Sequence, residues 1–512
     1  MTTDPSAPGR VQAGPRRGTA GVLFSMCLSL VLVVASVSAI NLAMPELAVS
    51  LGASNAQLTW IADAYTVALA ALVLPLGALG DRYGRRNVLI AGTVVFAIGA
   101  LFAGMSDSAG ELIVWRVVMG LGAAMIMPGT LSTITASFPA EQRARGVAVW
   151  SGFASAGAII GLVGAGAMLE VWSWTSIFYV SAALAVAAGI AALLLSENTS
   201  DEEKHRPDLL GALFTTVGIG TLVFAIIEGN EKSWTEPIVI ASLAVCVVSF
   251  AGYVIAGLRT EHPLLDPRLF GISGFRAGAV VILVQFMALF GFLFVGLQYL
   301  QLIVEFSPFI SAVALIPVAL VVVPVSLATP KIVDRIGLNV TMGVALVLLA
   351  AGFMAISTMN ADSGYLPFLA GLLIAGLGIG LASSTGTSAI VGSLPLGKQG
   401  VASAMNDTTR EVGSAIGIAL MGAVYSSNYT ASLPDLSELP ADAAEVARES
   451  AAGGLAVAAQ LGAAGNGLAE AVRTAFMDGL SASMVVVAVI VGVAAVTSFV
   501  FAPRTPAAPA ED

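Results

Sequence analysis

Fourteen apolar stretches, each about 18–25 residues long, follow one another along this chain of 512 residues. They are 21–44, 57–79, 88–106, 111–134, 146–168, 174–195, 209–228, 237–257, 275–299, 309–328, 338–358, 365–390, 400–425 and 479–501. A helix rises 1.5 Å per residue, so about 20 apolar residues cross a bilayer core of roughly 30 Å. Lipid offers no water to satisfy a backbone, so each crossing must close its own hydrogen bonds as a helix. Composition agrees: 57% of residues are hydrophobic and 11% charged, against about 25% charged in soluble domains. The expected fold class is therefore all-α and integral to the membrane, with 14 transmembrane helices.

The basic residues orient these spans. Placing the N-terminus inside puts 17 of the 22 Lys and Arg on the cytosolic side. Lys232, Arg448 and Arg473 fall in outer loops, and Arg116 and Arg410 fall within spans. A miscounted helix would invert this bias downstream of the error, so the positive-inside rule supports cytosolic N- and C-termini. The formal charge of −10 matters less than this distribution. Residues 1–20 are polar and rich in Pro, Gly and Arg, and read as a disordered cytosolic tail. Arg16 and Arg17 precede a run long enough to span, so an uncleaved first helix is expected rather than a signal peptide.

Several chemistries are excluded by what the chain lacks. Cys27 and Cys246 both lie in apolar spans and make no disulfide framework. His205 and His262 lie in predicted cytosolic loops without a motif, and read as surface residues. No metal-ligand spacing, no Ser/His pairing and no G-x-x-x-x-G-K-[ST] loop occurs. The expectation is a protein that is not an enzyme, with no metal, no cofactor and no nucleic-acid partner.

Three short echoes recur in order. GDRYG at 80–84 returns as VDRIG at 333–337, GVA at 146–148 returns at 400–402, and MGLGAAM at 119–125 resembles AGLGIGL at 375–381. The offsets are nearly constant, at 253, 254 and 256. This reads as a duplication, the plan of many secondary transporters. The N-terminal six-helix half is 21–195, a linker with inserted helices 7 and 8 is 196–257, and the C-terminal half is 258–501. A cytosolic tail, 502–512, follows. Within the second half, residues 426–478 form an Ala- and Gly-rich outer loop with weak helical periodicity.

Between helices 2 and 3 stands GALGDRYGRR, 77–86. Gly77 and Gly80 allow close backbone approach, and Gly84 permits a tight turn. Asp81 can face a helix N-terminus, whose dipole favours an anion. Arg82, Arg85 and Arg86 anchor the loop on the cytosolic side. A merely basic loop needs no spaced glycines and no aspartate. Helix 4 carries Arg116 ahead of small residues and Pro128; an arginine in a span faces protein or water rather than lipid. Helix 5 carries Gly157, Gly161, Gly164 and Gly166, a smooth face for another helix.

Helix 13 carries NDTTREVG, 406–413. Each ionisable group at a helix centre costs roughly 2.5–3.5 kcal/mol on insertion scales. Asp407, Arg410 and Glu411 lie at i, i+3, i+4 and so share a face. Asp407 stands seven residues beyond Gly400, about 10 Å along the helix. Arg410 can neutralise only one acid, which leaves a net negative site for a proton or a cation. A buried carboxylate beside a cation can be poised to exchange a proton near neutrality. Asp63 in helix 2 is a second candidate, with Trp60 and Tyr65 either an interfacial belt or an aromatic wall for a planar cation.

The loop GALGDRYGRR resembles the signature G-x-L-x-D-R-x-G-R-R/K of the major facilitator superfamily. RVVMG resembles the family's helix-4 motif R-x-x-Q-G, with Met119 in place of glutamine. GAIIGLVGAG resembles the antiporter motif G-x-x-x-G-P-x-x-G-G, with Leu162 in place of proline. The WSWTSIF stretch resembles W-R-W-I-F, with Thr175 in place of arginine. With fourteen spans, the long outer loop and YLQ at 299–301, the chain is similar to the drug:proton antiporters of the EmrB/QacA branch. The resemblance implies the major facilitator fold, two six-helix halves plus two inserted helices. It implies a cytoplasmic latch built from Gly77, Asp81, Arg82, Gly84, Arg85 and Arg86, with Asp334 and Arg335 in the second half. It implies proton coupling through Arg116, and a cavity to which Ser36, Asn41, Trp60, Tyr65, Gln298 and Tyr299 are candidate contributors. Ser36 stands where the branch often has a helix-1 aspartate, so coupling would fall to Asp63, Asp407 or Glu411. The expected function is proton-coupled export of amphipathic, mostly cationic compounds by a monomer in the bacterial plasma (inner) membrane. An exporter or flippase of an endogenous lipid or envelope metabolite is the alternative.

Overall fold

The computed structural model describes residues 18–51, 53, 55–200, 208–231, 233–260, 263, 266–394, 399–437, 439–449 and 451–504. His205 and His262 lie outside them. Helices account for nearly all of these residues. The long ones are α1 (Thr19–Ser50), α2 (Asn55–Tyr83), α3 (Arg85–Ala103), α4 (Ala109–Ser137), α5 (Ala140–Leu169), α6 (Thr175–Leu195), α7 (Leu209–Glu231) and α8 (Pro237–Arg259). They continue as α9 (Ser273–Gln298), a short α10 (Pro308–Val313), α11 (Ile316–Ile336), α12 (Leu338–Ser357), α13 (Tyr365–Gly392) and α14 (Gln399–Ser432). Two small helices, α15 (Ala441–Glu449) and α16 (Ala451–Gln460), precede α17 (Asn466–Phe501).

Among the described residues, thirteen segments are long and apolar enough to cross a membrane. The fourteenth expected span is α14. It is 34 residues long, but Asp407, Arg410 and Glu411 make it too polar to read as a crossing by composition. It nevertheless packs inside the bundle, against α9, α2, α17, α4 and α7. Neighbouring protein, not lipid, accommodates its charges. Lipid-type surfaces appear elsewhere: α8 exposes Val247 and Val248, and α17 exposes Val493, Val496 and Val500.

The two halves use the same pairings. In the first, α1 packs on α5, α2 and α3 on α4, and α3 on α6. In the second, α9 packs on α14, α11 and α12 on α13, and α12 on α17. The equivalence extends to the loops that follow the second helix of each half. Gly84 and Gly337 both take positive φ, 104° and 89°, which an L side chain rarely adopts. The next backbone N–H is bonded in each case to the segment beyond the sixth helix: Arg85 to the Thr199 carbonyl at 2.9 Å, and Leu338 to the Arg504 carbonyl at 2.8 Å. α7 and α8 form their own hairpin, laid against α2 and α14.

The described residues of 426–478 are more helical than their composition suggests. α14 and α17 run on past the expected spans, and α15 and α16 fold back on them. The GLAEAVRTAFMDGL periodicity belongs to the first turns of α17 rather than to a separate surface helix. Tyr429 on α14 donates to the Ala447 carbonyl at 2.7 Å and stacks near Tyr425, at 5.9 Å between ring centroids.

Candidate functional site

Two buried ionic centres lie where α2 and α4 of the first half meet α14 of the second. The first is Arg116. Its side chain is 1% exposed. Nε donates to the Ile61 carbonyl of α2 at 2.8 Å, and Nη1 to the Ser36 carbonyl of α1 at 3.3 Å. The guanidinium carbon lies 4.7 Å from the ring centroid of Tyr65. Tyr65 donates in turn to the Val33 carbonyl at 3.0 Å. Arg116 thus gathers α1, α2 and α4 about one cation, and does not snorkel to an interface.

The second centre is on α14. Asp407, Arg410 and Glu411 are all buried. Arg410 Nη1 donates to Asp407 Oδ1 at 3.3 Å. The same carboxylate oxygen accepts from Asn406 Nδ2 at 3.4 Å, and Asn406 accepts from Thr387 Oγ1 of α13 at 3.1 Å. Among the described residues, Asp407 Oδ2 and Arg410 Nε are buried with no hydrogen-bond partner. The guanidinium also lies over two aromatic rings, 4.5 Å from Phe286 of α9 and 5.4 Å from Trp150 of α5. Trp150 is held by its indole N–H, which donates to Thr130 Oγ1 of α4 at 2.9 Å. Glu411 is buried one turn beyond Asp407 on the same face of α14.

The remaining candidates disperse. The Ser36 hydroxyl is buried and donates to the Leu32 carbonyl of its own helix. Asn41 is exposed, and Gln298 donates to the Phe294 carbonyl within α9. Trp60 packs against Phe224 of the inserted α7, at 5.5 Å. Tyr299 is tied to the Gly364 carbonyl at 2.9 Å and stacked on Phe368, inside the second half. Asp63 is on α2, but its side chain lies outside those described. Among the helix-5 glycines, Gly161 lies against the Ala35 backbone and Gly166 against Phe309, while Gly164 faces open space.

In the GALGDRYGRR loop, Asp81 and Arg85 are buried, and Arg85 Nε donates to Asp81 Oδ1 at 2.8 Å. The Asp81 carboxylate meets the first turn of α3 through that arginine. Arg85 Nη1 reaches Thr199 Oγ1 at 3.4 Å and Arg86 Nη1 reaches the Ser196 carbonyl at 3.3 Å. These bonds run to the segment after α6, in the same half. Gly77 and Gly84 are buried and Arg82 is half-buried beside Tyr83. Asp334 and Arg335, at the equivalent turn of the second half, are exposed.

Sequence reasoning missed Trp150, Phe286, Asn406 and Thr387. Asn406 adjoins an already suspicious acid and could have been found. Trp150 and Phe286 read as ordinary apolar residues of their spans; only the packing of α5 and α9 on α14 brings their rings to Arg410. The halves are closed on each other here. Ser383 of α13 donates to the Ser151 carbonyl of α5 at 3.4 Å. A void of about 20 Å³, lined by apolar residues including Ile159, Leu289 and Phe292, remains between α5 and the second half.

The family model described as Major Facilitator Superfamily matches residues 26–418. The chain is 30% identical over 472 residues to the multidrug efflux pump LfrA of Mycolicibacterium smegmatis, covering 92% of this chain and 94% of that one. It is 27% identical over 507 residues to the tetracenomycin C resistance and export protein of Streptomyces glaucescens, covering 96% and 93%. It is 31% identical over 458 residues to the methyl viologen resistance protein SmvA of Salmonella typhimurium, covering 85% and 89%. Among solved structures, a bacterial homologue of the lysosomal transporter Spinster superposes with a TM-score of 0.61 at 16% identity, covering 95% of this chain and 97% of that one. The proton:xylose symporter XylE does so with 0.61 at 13%, covering 96% and 97%. These two speak to the fold alone.

Proposed function

This chain belongs to the major facilitator superfamily, and we propose that it is a proton-driven exporter of small amphipathic, mostly cationic compounds across a bacterial inner membrane. The observation that carries this reading is the buried Asp407–Arg410–Glu411 group on a helix packed against both halves. Two acids and one base leave one negative charge to be met by a proton or by a cationic compound. The neighbours of the group come from α5 on one side and α9 and α13 on the other. Rocking the halves therefore changes its surroundings, which is what alternating access requires. Relatives named for multidrug efflux and for resistance to methyl viologen support the substrate class.

In this reading the proton gradient is the energy source, and the protein needs no cofactor and works as a monomer. Both termini and the GALGDRYGRR loop face the cytosol. The protein transports and does not transform its substrates. Arg116 and Tyr65 hold α1, α2 and α4 of the first half together beside the site.

The test is transport of ethidium into inverted membrane vesicles under an imposed pH gradient, with wild type and Asp407→Asn side by side. Uptake by wild type, its collapse with an uncoupler, and its loss in the variant at normal membrane levels are the expected results. Wild-type uptake indifferent to an uncoupler overturns proton drive. Equal uptake by both proteins reduces the α14 group to a structural ion pair.

A further inference from the structure

Arg410 is held in an unusual way for a buried arginine. Among the described residues its one hydrogen bond to a side chain, to Asp407, is long at 3.3 Å, and its Nε has no partner. What surrounds the guanidinium instead is aromatic: Phe286 at 4.5 Å and Trp150 at 5.4 Å. Both rings are buried and braced. Trp150 is fixed through Thr130, and Phe286 stacks on Phe290 with centroids 6.0 Å apart. One ring comes from each half of the protein, α5 and α9.

Aromatic faces with a carboxylate beside them are the chemistry that receives a flat, delocalised cation. A guanidinium is itself such a cation. We propose that Trp150 and Phe286 are the cation-binding walls of the transport site, and that the Arg410 side chain occupies them in place of the planar cationic part of the compound. The inference rests on the efflux reading and adds its recognition chemistry. An arriving aromatic cation displaces Arg410 and takes over both ring faces and the Asp407 carboxylate. Because the walls belong to different halves, the occupied site exists only while the halves are closed on each other. A rocking motion that parts α5 from α9 opens the cage and weakens its hold, whichever cation fills it.

The proposal makes an unusual prediction: deleting a positive charge and its side chain strengthens binding. Purified wild type and Arg410→Gln are titrated with ethidium in detergent, following its fluorescence. The variant is expected to bind about tenfold more tightly, the scale of one displaced buried cation–π contact. Removing a cation also favours an incoming one by charge alone, so Arg410→Gln is combined with Trp150→Leu and with Phe286→Leu. Loss of the gain in both combinations supports the cage. A gain that survives both overturns it in favour of charge alone, and so does an Arg410→Gln protein that binds no better than wild type. If Arg410→Gln does not fold, Trp150→Tyr and Trp150→Leu decide in its place: the ring-bearing variant is expected to keep wild-type affinity and the aliphatic one to lose it. Equal affinities overturn the proposal. Vesicle transport by wild type separates the two levels. Gradient-driven efflux with a failed cage test removes only this inference, whereas absence of gradient-driven efflux removes the function it rests on.

Discussion

The Nε–H of Arg116 donates to the carbonyl of Ile61 at 2.8 Å, from inside α4 into the backbone of α2. With the bond to Ser36 and the contact over Tyr65, one guanidinium fastens three helices. Lysine has neither the second donor arm nor the flat face to do this. Arg116→Lys is therefore expected to behave nearly as badly as Arg116→Met. Both should lose about 2 kcal/mol of stability, the scale of a charged hydrogen bond left unmade. Thermal unfolding in detergent checks this. A lysine variant as stable as wild type would show that charge alone is what α4 needs.

The equivalent positive-φ glycines of the two halves, Gly84 and Gly337, give a paired prediction. At Gly84 an added Cβ would meet both the backbone strain of φ 104° and the Asn198 amide, against which the loop is packed. At Gly337 the strain is similar, but the nearest atom is the Arg504 carbonyl oxygen at 3.2 Å. Asn198 is exposed and its amide can swing aside, so Gly84→Ala and Gly337→Ala should both lose about 1–2 kcal/mol, the cost of the left-handed backbone. Midpoints of thermal unfolding for the two variants give the comparison, and a markedly larger loss at Gly84 would mean that the Asn198 side chain is held in place.

Helix-5 glycines that look alike in sequence differ in consequence. A Cβ at Gly161 would lie 2.5 Å from Ala35 Cα, so Gly161→Ala must push α5 away from α1. Gly164 has nothing nearby, and Gly164→Ala is expected to be neutral or slightly stabilising through its effect on the unfolded chain. Membrane abundance and vesicle transport of the two variants separate a packing requirement from a general need for glycine in this motif.

These contrasts mark how far the sequence could be read. Spans were legible because lipid permits only self-satisfied helices, and hydropathy reports that directly. The likeness of the turns at GDRYG and VDRIG was legible because a positive φ demands glycine at both Gly84 and Gly337. Asp407, Arg410 and Glu411 stood out because charge in a span is costly. What surrounds them was not legible. Trp150 and Phe286 lie 260 and 124 residues from Arg410, and apolar patterning does not say which ring faces which helix. Equally hidden was the length of α14 and α17, since small residues such as those of 426–478 are compatible with loop or helix until packing on α15 and α16 decides. Tyr299 was a cavity candidate through the resemblance at YLQ, and Trp60 was open between an interfacial belt and an aromatic wall; sequence could not show that Tyr299 bonds to the Gly364 carbonyl or that Trp60 packs on Phe224.

The ion pair on α14 offers the last test. Breaking a buried pair strands its partner's charge, which typically costs 3–5 kcal/mol, whereas removing both charges together can be nearly neutral. Asp407→Asn strands Arg410 only in part, because Phe286 and Trp150 still receive the cation. Arg410→Gln strands Asp407 and Glu411 with no cation in contact. The arginine variant is therefore expected to be the less stable of the two, and the double variant Asp407→Asn with Arg410→Gln more stable than the arginine variant alone. A double-mutant cycle on thermal midpoints measures the coupling, with 0.5–3 kcal/mol the usual range for residues in contact. Strict additivity would mean that the 3.3 Å contact contributes nothing, and that Arg410 is held by its rings alone. The same double variant should remain unable to move ethidium when driven by a pH gradient, because restoring the fold does not restore the Asp407 carboxylate; transport by it would pass the proton-carrying role to Glu411 or Asp63.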